Sequence, residues 1–326
     1  MKLLIIGLDG CTDRVYWDRE VLMPFVREVL IPRSMHGTSI SEVQRNREGR
    51  YDPHTGPNWS SIYTGVPVKV HGVDYGGWVF DHKSHGSLKA KSVWYMIREK
   101  YNLGLMAMPI TYPAFRCNWM ISGFPNSTVT KYSVYPRHLY TGLKEKNFVV
   151  DYADGVSIWR DKLQKKWKRG EDESFMQIEF DKFEMAKKLY ATDPVDVLAF
   201  GNTSIDKVCH IFGLFSKQAK YVYAKIDKLV QKMIEYFDPD NTIIVADHGF
   251  EAFSYRHNKN GFYLWNIKGS KRGVEEEIKI YETTKLILNA LEMEHDEIGI
   301  EVDPEVFTQE EKEAIEYRYR QLGYLK

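Results

Sequence analysis

The stretch Leu3-Leu4-Ile5-Ile6-Gly7-Leu8-Asp9-Gly10 decides how this chain is read. An apolar run with a single glycine ends in an acid and a second glycine. A strand exposed on one face would alternate apolar and polar residues. An unbroken run closed by turn residues instead marks a strand covered on both faces, the usual state of a parallel strand. The run is too short for a secretory signal or a membrane span. Similar runs occur at 103–108, 195–200 and 242–246. Helix-like stretches lie at 87–100, 175–191, 217–236 and 281–292, and Ile278-Lys279-Ile280 offers a further strand. Thr308-Gln309-Glu310-Glu311 opens a terminal helix with a capping-box pattern, expected to end near Gly323. This alternation predicts an α/β fold, a doubly wound, mostly parallel sheet with helices on both faces.

The 326 residues suit one large α/β domain over 1–326, with a cap or lid inserted at about 125–173. The insertion carries the basic, aromatic segment from Trp159 to Arg169, which reads as a solvated helix or as a lid for an anionic substrate. Lys+Arg and Asp+Glu are both 45, so no global charge favours nucleic acid or a membrane surface, and a small molecule is the expected partner. The three cysteines have no paired spacing, which excludes a disulfide framework and leads to the expectation of a reducing, cytoplasmic setting.

Three of the expected strands run into acids: Asp9, Asp206 after a short polar link, and Asp247. Ligands of open parallel sheets bind beyond the carboxyl ends of the strands, where these acids could converge. Asp206 and His210 are four apart, one turn along a helix face. His248 adjoins Asp247, and His257 follows before a turn-rich Asn258-Lys259-Asn260-Gly261. Carboxylates mixed with imidazoles suit zinc, manganese or iron, and six such ligands suit two ions rather than one. In His54-Thr55-Gly56-Pro57-Asn58-Trp59, Pro57 fits the first turn of a helix that Gly65 would end. Thr55 then stands at the helix N-terminus, as an ordinary cap or, beside two ions, as a nucleophile towards phosphorus. Asn58 could donate to a phosphoryl oxygen, and Trp59, Tyr75 and Trp78 could line a base or serve the core.

These stretches together resemble the alkaline phosphatase superfamily, and within it the type I phosphodiesterase/nucleotide pyrophosphatase branch. The resemblance covers Ile5 to Gly10, Thr55 to Trp59 with Thr64-Gly65 and His71-Gly72-Val73, Thr111-Tyr112-Pro113 with Ile121-Ser122-Gly123-Phe124, Ser204 to His210, Asp247-His248-Gly249-Phe250 and Leu322-Gly323-Tyr324-Leu325. It implies two divalent ions, zinc with manganese or iron as alternatives. One would be held by Asp9, Thr55, Asp247 and His248, the other by Asp206, His210 and His257. It also implies hydrolysis of phosphodiester or pyrophosphate bonds, nucleotides included, through a phospho-threonine at Thr55, with Asn58 and Trp59 at the substrate. His71 is implied to be structural. A phosphomonoesterase or phosphonate hydrolase on the same core is the nearest alternative, and a catalytically silent nucleotide binder the next.

Overall fold

The computed structural model describes residues 1–46, 48–76, 85–151, 172–303 and 308–321, with isolated positions between 161 and 167. The strands are β1 (Leu3–Leu8), β2 (Ser34–Ile40), β3 (Val43–Arg45), β4 (Tyr51–Pro53), β5 (Leu103–Met106), β6 (Trp119–Ile121), β7 (Val134–Tyr135), β8 (Val197–Asn202), β9 (Asn241–Val245), β10 (Gly249–Phe250), β11 (His257–Asn258), β12 (Asn260–Ile267), β13 (Val274–Glu275) and β14 (Ile278–Lys279). The α-helices are α1 (Thr55–Thr64), α2 (Val68–His71), α3 (Val93–Lys100), α4 (Leu139–Glu145), α5 (Asp172–Thr192), α6 (Ser204–Phe212), α7 (Lys217–Phe237), α8 (Thr283–Ala290) and α9 (Gln309–Gln321).

The main sheet runs β13-β2-β12-β9-β1-β8-β5-β6-β7. Its centre, from β9 to β6, is parallel, and β12 and β7 pair antiparallel towards the edges. Every residue of β1 is buried, as its unbroken apolar run requires. Its side chains alternate between two apolar layers. Leu4, Ile6 and Leu8 pack with Ile205 and Val208 of α6 and Val222, Ile226 and Met233 of α7. Leu3 and Ile5 pack with Trp59, Ile62 and Tyr63 of α1, Trp94 and Ile97 of α3 and Ile287 of α8. The sheet is thus covered on both faces, as the sequence pattern predicts.

The expected helices are present with shifted ends. The stretch at 87–100 yields helix only from Val93, where the Ser92 side chain accepts from the Trp94 N–H. The terminal helix has its capping box: Thr308 Oγ1 accepts from Glu311 N–H at 3.2 Å, and Thr308 N–H reaches Glu311 Oε2 at 3.0 Å. Of the expected insertion, residues 125–151 build the sheet edge through β7 and α4, and Leu143, Phe148 and Val150 join the core. Residues 152–160 and most of 161–171, hence most of the basic segment, lie outside the described residues. Trp167 packs edge-on against Phe212 at 5.0 Å. No helix is long and apolar enough to cross a membrane, among the described residues.

Candidate active site

The carboxyl ends of β1, β8 and β9 lie side by side and deliver the acids. Asp9 follows β1 directly, and its backbone N–H donates to Asn202 O at 2.9 Å. Gly10 then turns at φ +72°, a left-handed conformation that glycine adopts without penalty. A Cβ there would stand 3.0 Å from the Asp206 backbone. The turn also aims the Gly10 N–H at Asp247 Oδ1, 3.1 Å away.

Around this turn the predicted ligands come together. His210 Nε2 and His257 Nε2 lie 3.3 Å and 3.2 Å from Asp206 Oδ1. His248 Nε2 is 3.6 Å from Asp9 Oδ1, 3.9 Å from Asp206 Oδ1 and 3.3 Å from Asp247 Oδ2. Two ligand groups result, Asp206/His210/His257 and Asp9/Asp206/His248. Asp206 belongs to both, whereas the resemblance gives it to one ion alone. The imidazoles are oriented from behind: His210 Nδ1 meets Tyr255 O at 3.0 Å, and His257 Nδ1 meets Pro53 O at 2.8 Å. Such supports fix the tautomer and leave Nε2 to face the cluster.

The donor set fits divalent cations. Asp9 Oδ1, Asp206 Oδ1, Asp247 Oδ2 and His248 Nε2 are buried without a hydrogen-bond partner, and they converge. Buried polar atoms are normally paired, so several orphans at one point call for a positive charge there. His210 Nε2 and His257 Nε2 lie only 2.7 Å apart, close for two ring nitrogens unless a proton or a cation serves both.

The electrostatics agree. Burial, then Asp247 and Asp206, push Asp9 well above its usual value. Burial and Asp206 do the same to Asp247. Burial alone would raise Asp206, but His210 and His257 outweigh it and hold the group well below the usual range. Burial, then His257, holds His248 well below. Carboxylates raised in the fold stabilise the metal-free protein below their unfolded pKa of 3.8, and that contribution is lost as pH rises through the raised values. Cations must displace those protons, so metal stabilisation should increase with pH. Zn²⁺ at 100 times its Kd should add about 2.7 kcal/mol. The rise in Tm should be larger at about pH 8 than at about pH 5, and EDTA should reverse it. An equal rise at both pH values would mean that these carboxylates are not ligands.

Thr55 is the first residue of α1, behind the extended His54, and is half-buried. Trp59, one turn later on the same helix face, is fully buried and lies on Gly7 of β1, where a Cβ would come within 2.7 Å of its ring. The indole N–H counteracts the upward shift of Asp9, without meeting it in hydrogen-bond geometry. This packing anchors α1 against β1 one turn after Thr55. It also corrects the substrate reading of Trp59, whose ring belongs to the core beside Tyr63 at 5.9 Å.

Asn58 needs the same correction. It is fully buried, its Oδ1 accepts from Glu42 N–H at 2.9 Å, and its Nδ2 donates to Glu42 O at 3.1 Å and His54 O at 3.0 Å. With its amide committed to the backbone, it clamps the chain before α1 and has no donor for a phosphoryl oxygen. His71 is buried, bonded through Nε2 to Ser61 Oγ at 3.0 Å and accepting from Val73 N–H at 3.1 Å. Trp78 lies outside the described residues.

Sequence reasoning passed over His54. Burial, then His257, lowers its pKa to about 4, and its ring lies against Tyr75 at 4.2 Å between centroids, tilted by 32°. Its place next to Thr55 was the available signal. A cavity of about 350 Å³ opens beside the cluster, with His210 and His257 on one wall and Arg50, His54, Tyr75, Tyr255 and Arg256 around it.

A parallel-centred sheet with strand-end acids and imidazoles is the architecture of the alkaline phosphatase superfamily. Murine ectonucleotide pyrophosphatase/phosphodiesterase 5 superposes with a TM-score of 0.54 at 11% identity, over 90% of this chain and 96% of that one. An inactive variant of the murine protein, in complex with AMP, superposes at 0.53 and 10% identity over the same shares. Lipoteichoic acid synthase LtaP from Listeria monocytogenes gives 0.51 at 10% identity, over 99% of this chain and 90% of that one. No curated protein matches in sequence. The family model for type I phosphodiesterase/nucleotide pyrophosphatase matches residues 3–324, so the chain belongs to that family, one of phosphoric ester hydrolases.

Proposed function

We propose that this protein hydrolyses a phosphodiester or pyrophosphate bond in a nucleotide-type substrate, with two divalent ions and Thr55 as nucleophile. Zinc is the first candidate, manganese and iron the alternatives. The observation that carries the reading is the convergence at the strand ends of four buried atoms without a hydrogen bond, on Asp9, Asp206, Asp247 and His248. Two bound ions would supply the positive charge that acidifies a hydroxyl and offsets charge on the phosphoryl group. The chain's own residues do the rest. Thr55 presents its hydroxyl at the positive end of a ten-residue helix, and the N–H groups of Thr55 and Gly56 have no acceptor within that helix. They are placed to hold a non-bridging oxygen. Thr55 Oγ1 gives up its proton and bonds to phosphorus as the bond from phosphorus to the ester oxygen breaks, and that oxygen takes up a proton and leaves. Water then attacks the phosphorus, the P–Oγ1 bond breaks, a proton from the water restores the Thr55 hydroxyl, and the phosphate product is released. His54, neutral at pH 7 and lying against Tyr75, offers a flat face at the cavity for a base. The captured AMP of the murine relative favours the same substrate class.

The test compares p-nitrophenyl thymidine monophosphate, bis(p-nitrophenyl) phosphate and p-nitrophenyl phosphate on Zn²⁺-loaded protein. Faster turnover of the diesters is expected, the thymidine ester first. Preference for the monoester would move the protein to the phosphatase side of the superfamily. No turnover of any of them would leave a binder.

A further inference from the structure

We propose that Lys207 is a positioning residue of the metal site: its buried side chain, locked to Asp151 and Thr203, holds the first turn of α6 so that Asp206 reaches both ligand groups. The inference rests on the reading of that site as a two-metal centre.

Lysine and aspartate are rarely buried unless paired. Lys207 and Asp151 are each 5% exposed and form an ion pair. Lys207 Nζ also donates to Thr203 Oγ1 at 3.0 Å, and Thr203 Oγ1 donates to Asp151 Oδ1 at 2.8 Å, closing a triangle. Thr203 is the residue before α6, and its hydroxyl does not cap that helix. The triangle therefore ties the entry of α6 to a point just before residue 152.

A second buried pair acts on the same link. Lys182 meets Glu179 at 2.6 Å and donates to Gly201 O at 3.1 Å, while Ser204 Oγ donates to Glu179 Oε1 at 2.8 Å. Residues 201–204 are thus held from both sides, and the next turn carries Asp206. Two buried ion pairs are a poor way to gain stability alone, because apolar side chains of like volume do as well or better. What they supply is a fixed place for one helix turn. Asp206 needs that place, since two ligand groups depend on its single carboxylate.

The test uses the full chain with three variants: Lys207→Gln, Lys207→Met, and Lys207→Met with Asp151→Leu. Zn²⁺ affinity is measured by competition with a chromophoric chelator, and metal-free stability by thermal melting. Lys207→Met takes the cation away from the buried Asp151 carboxylate and should melt earlier, while the double variant should regain the melting temperature of the metal-free wild type. Both, and the milder Lys207→Gln, should bind Zn²⁺ at both ligand groups about tenfold more weakly, the scale on which metal sites respond to lost support behind the ligands. A folded Lys207→Gln or double variant with wild-type Zn²⁺ affinity would reduce the pair to a fold element and overturn the inference alone. A wild type that binds no Zn²⁺ would overturn the two-metal reading and the inference with it.

Discussion

Thr55→Ala is expected to keep the fold and both bound ions while turnover drops by about 10³-fold or more, the scale seen when a nucleophile is removed from a working site. The reason lies in the helix. Thr55 begins α1 and is half-buried, and the anchor of that helix is Trp59 on Gly7, which the substitution leaves untouched. Alanine is also well tolerated within a helix. Thr55→Ser restores a hydroxyl and should recover much of the rate. Tm and metal content, measured beside kcat, separate lost chemistry from lost structure. Wild-type turnover in Thr55→Ala would remove Thr55 from the mechanism.

Asp206→Ala should strip the site of both ions, whereas His210→Ala should remove about one. The difference follows from geometry. Asp206 Oδ1 lies 3.3 Å from His210, 3.2 Å from His257 and 3.9 Å from His248, so one carboxylate serves both groups. His210 serves one. Assigning ligands from the sequence resemblance alone leads instead to a loss of one ion in either variant. Metal content of the purified variants, by elemental analysis, decides between the two. One retained ion in Asp206→Ala would show that Asp9, Asp247 and His248 suffice without it. Loss of both ions should abolish turnover, a larger effect than any other substitution considered.

The parallel centre of the sheet was legible because a doubly covered strand is largely apolar, as 3–8, 197–200 and 243–246 are. The antiparallel strands β2 and β12 were not. In β12, Asn260-Gly261 reads as a turn. Yet Phe262, Tyr263 and Leu264 follow it into a buried strand between β9 and β2. A turn signal thus hid the start of a strand. That these acids and imidazoles come together was legible because strand ends and a four-residue helix spacing place them with little reference to the rest of the fold. Which carboxylate is shared was not, since it depends on distances across three loops. Asn58 and Trp59 were read outward because they follow Thr55 at a helix start. Trp59 points inward because it occupies the sheet-facing side of the helix, and Asn58 because its amide is taken up by the Glu42 and His54 backbone. Lys207 was invisible for the opposite reason: a lysine in a helix reads as a surface residue until its neighbours are known.

The pairing of β1 carries a consequence for synthesis. Its two neighbours begin at residues 197 and 241, and the last imidazole of the cluster is His257. An apolar strand made first must therefore wait, unpaired, for more than half the chain to leave the ribosome. Contacts so distant in sequence slow folding and leave sticky surface exposed meanwhile. On the proposed reading, an ion held by Asp206, His210 and His257 has no site to occupy until the nascent chain is nearly complete. Such an ion would lock a finished sheet and would not template an early one.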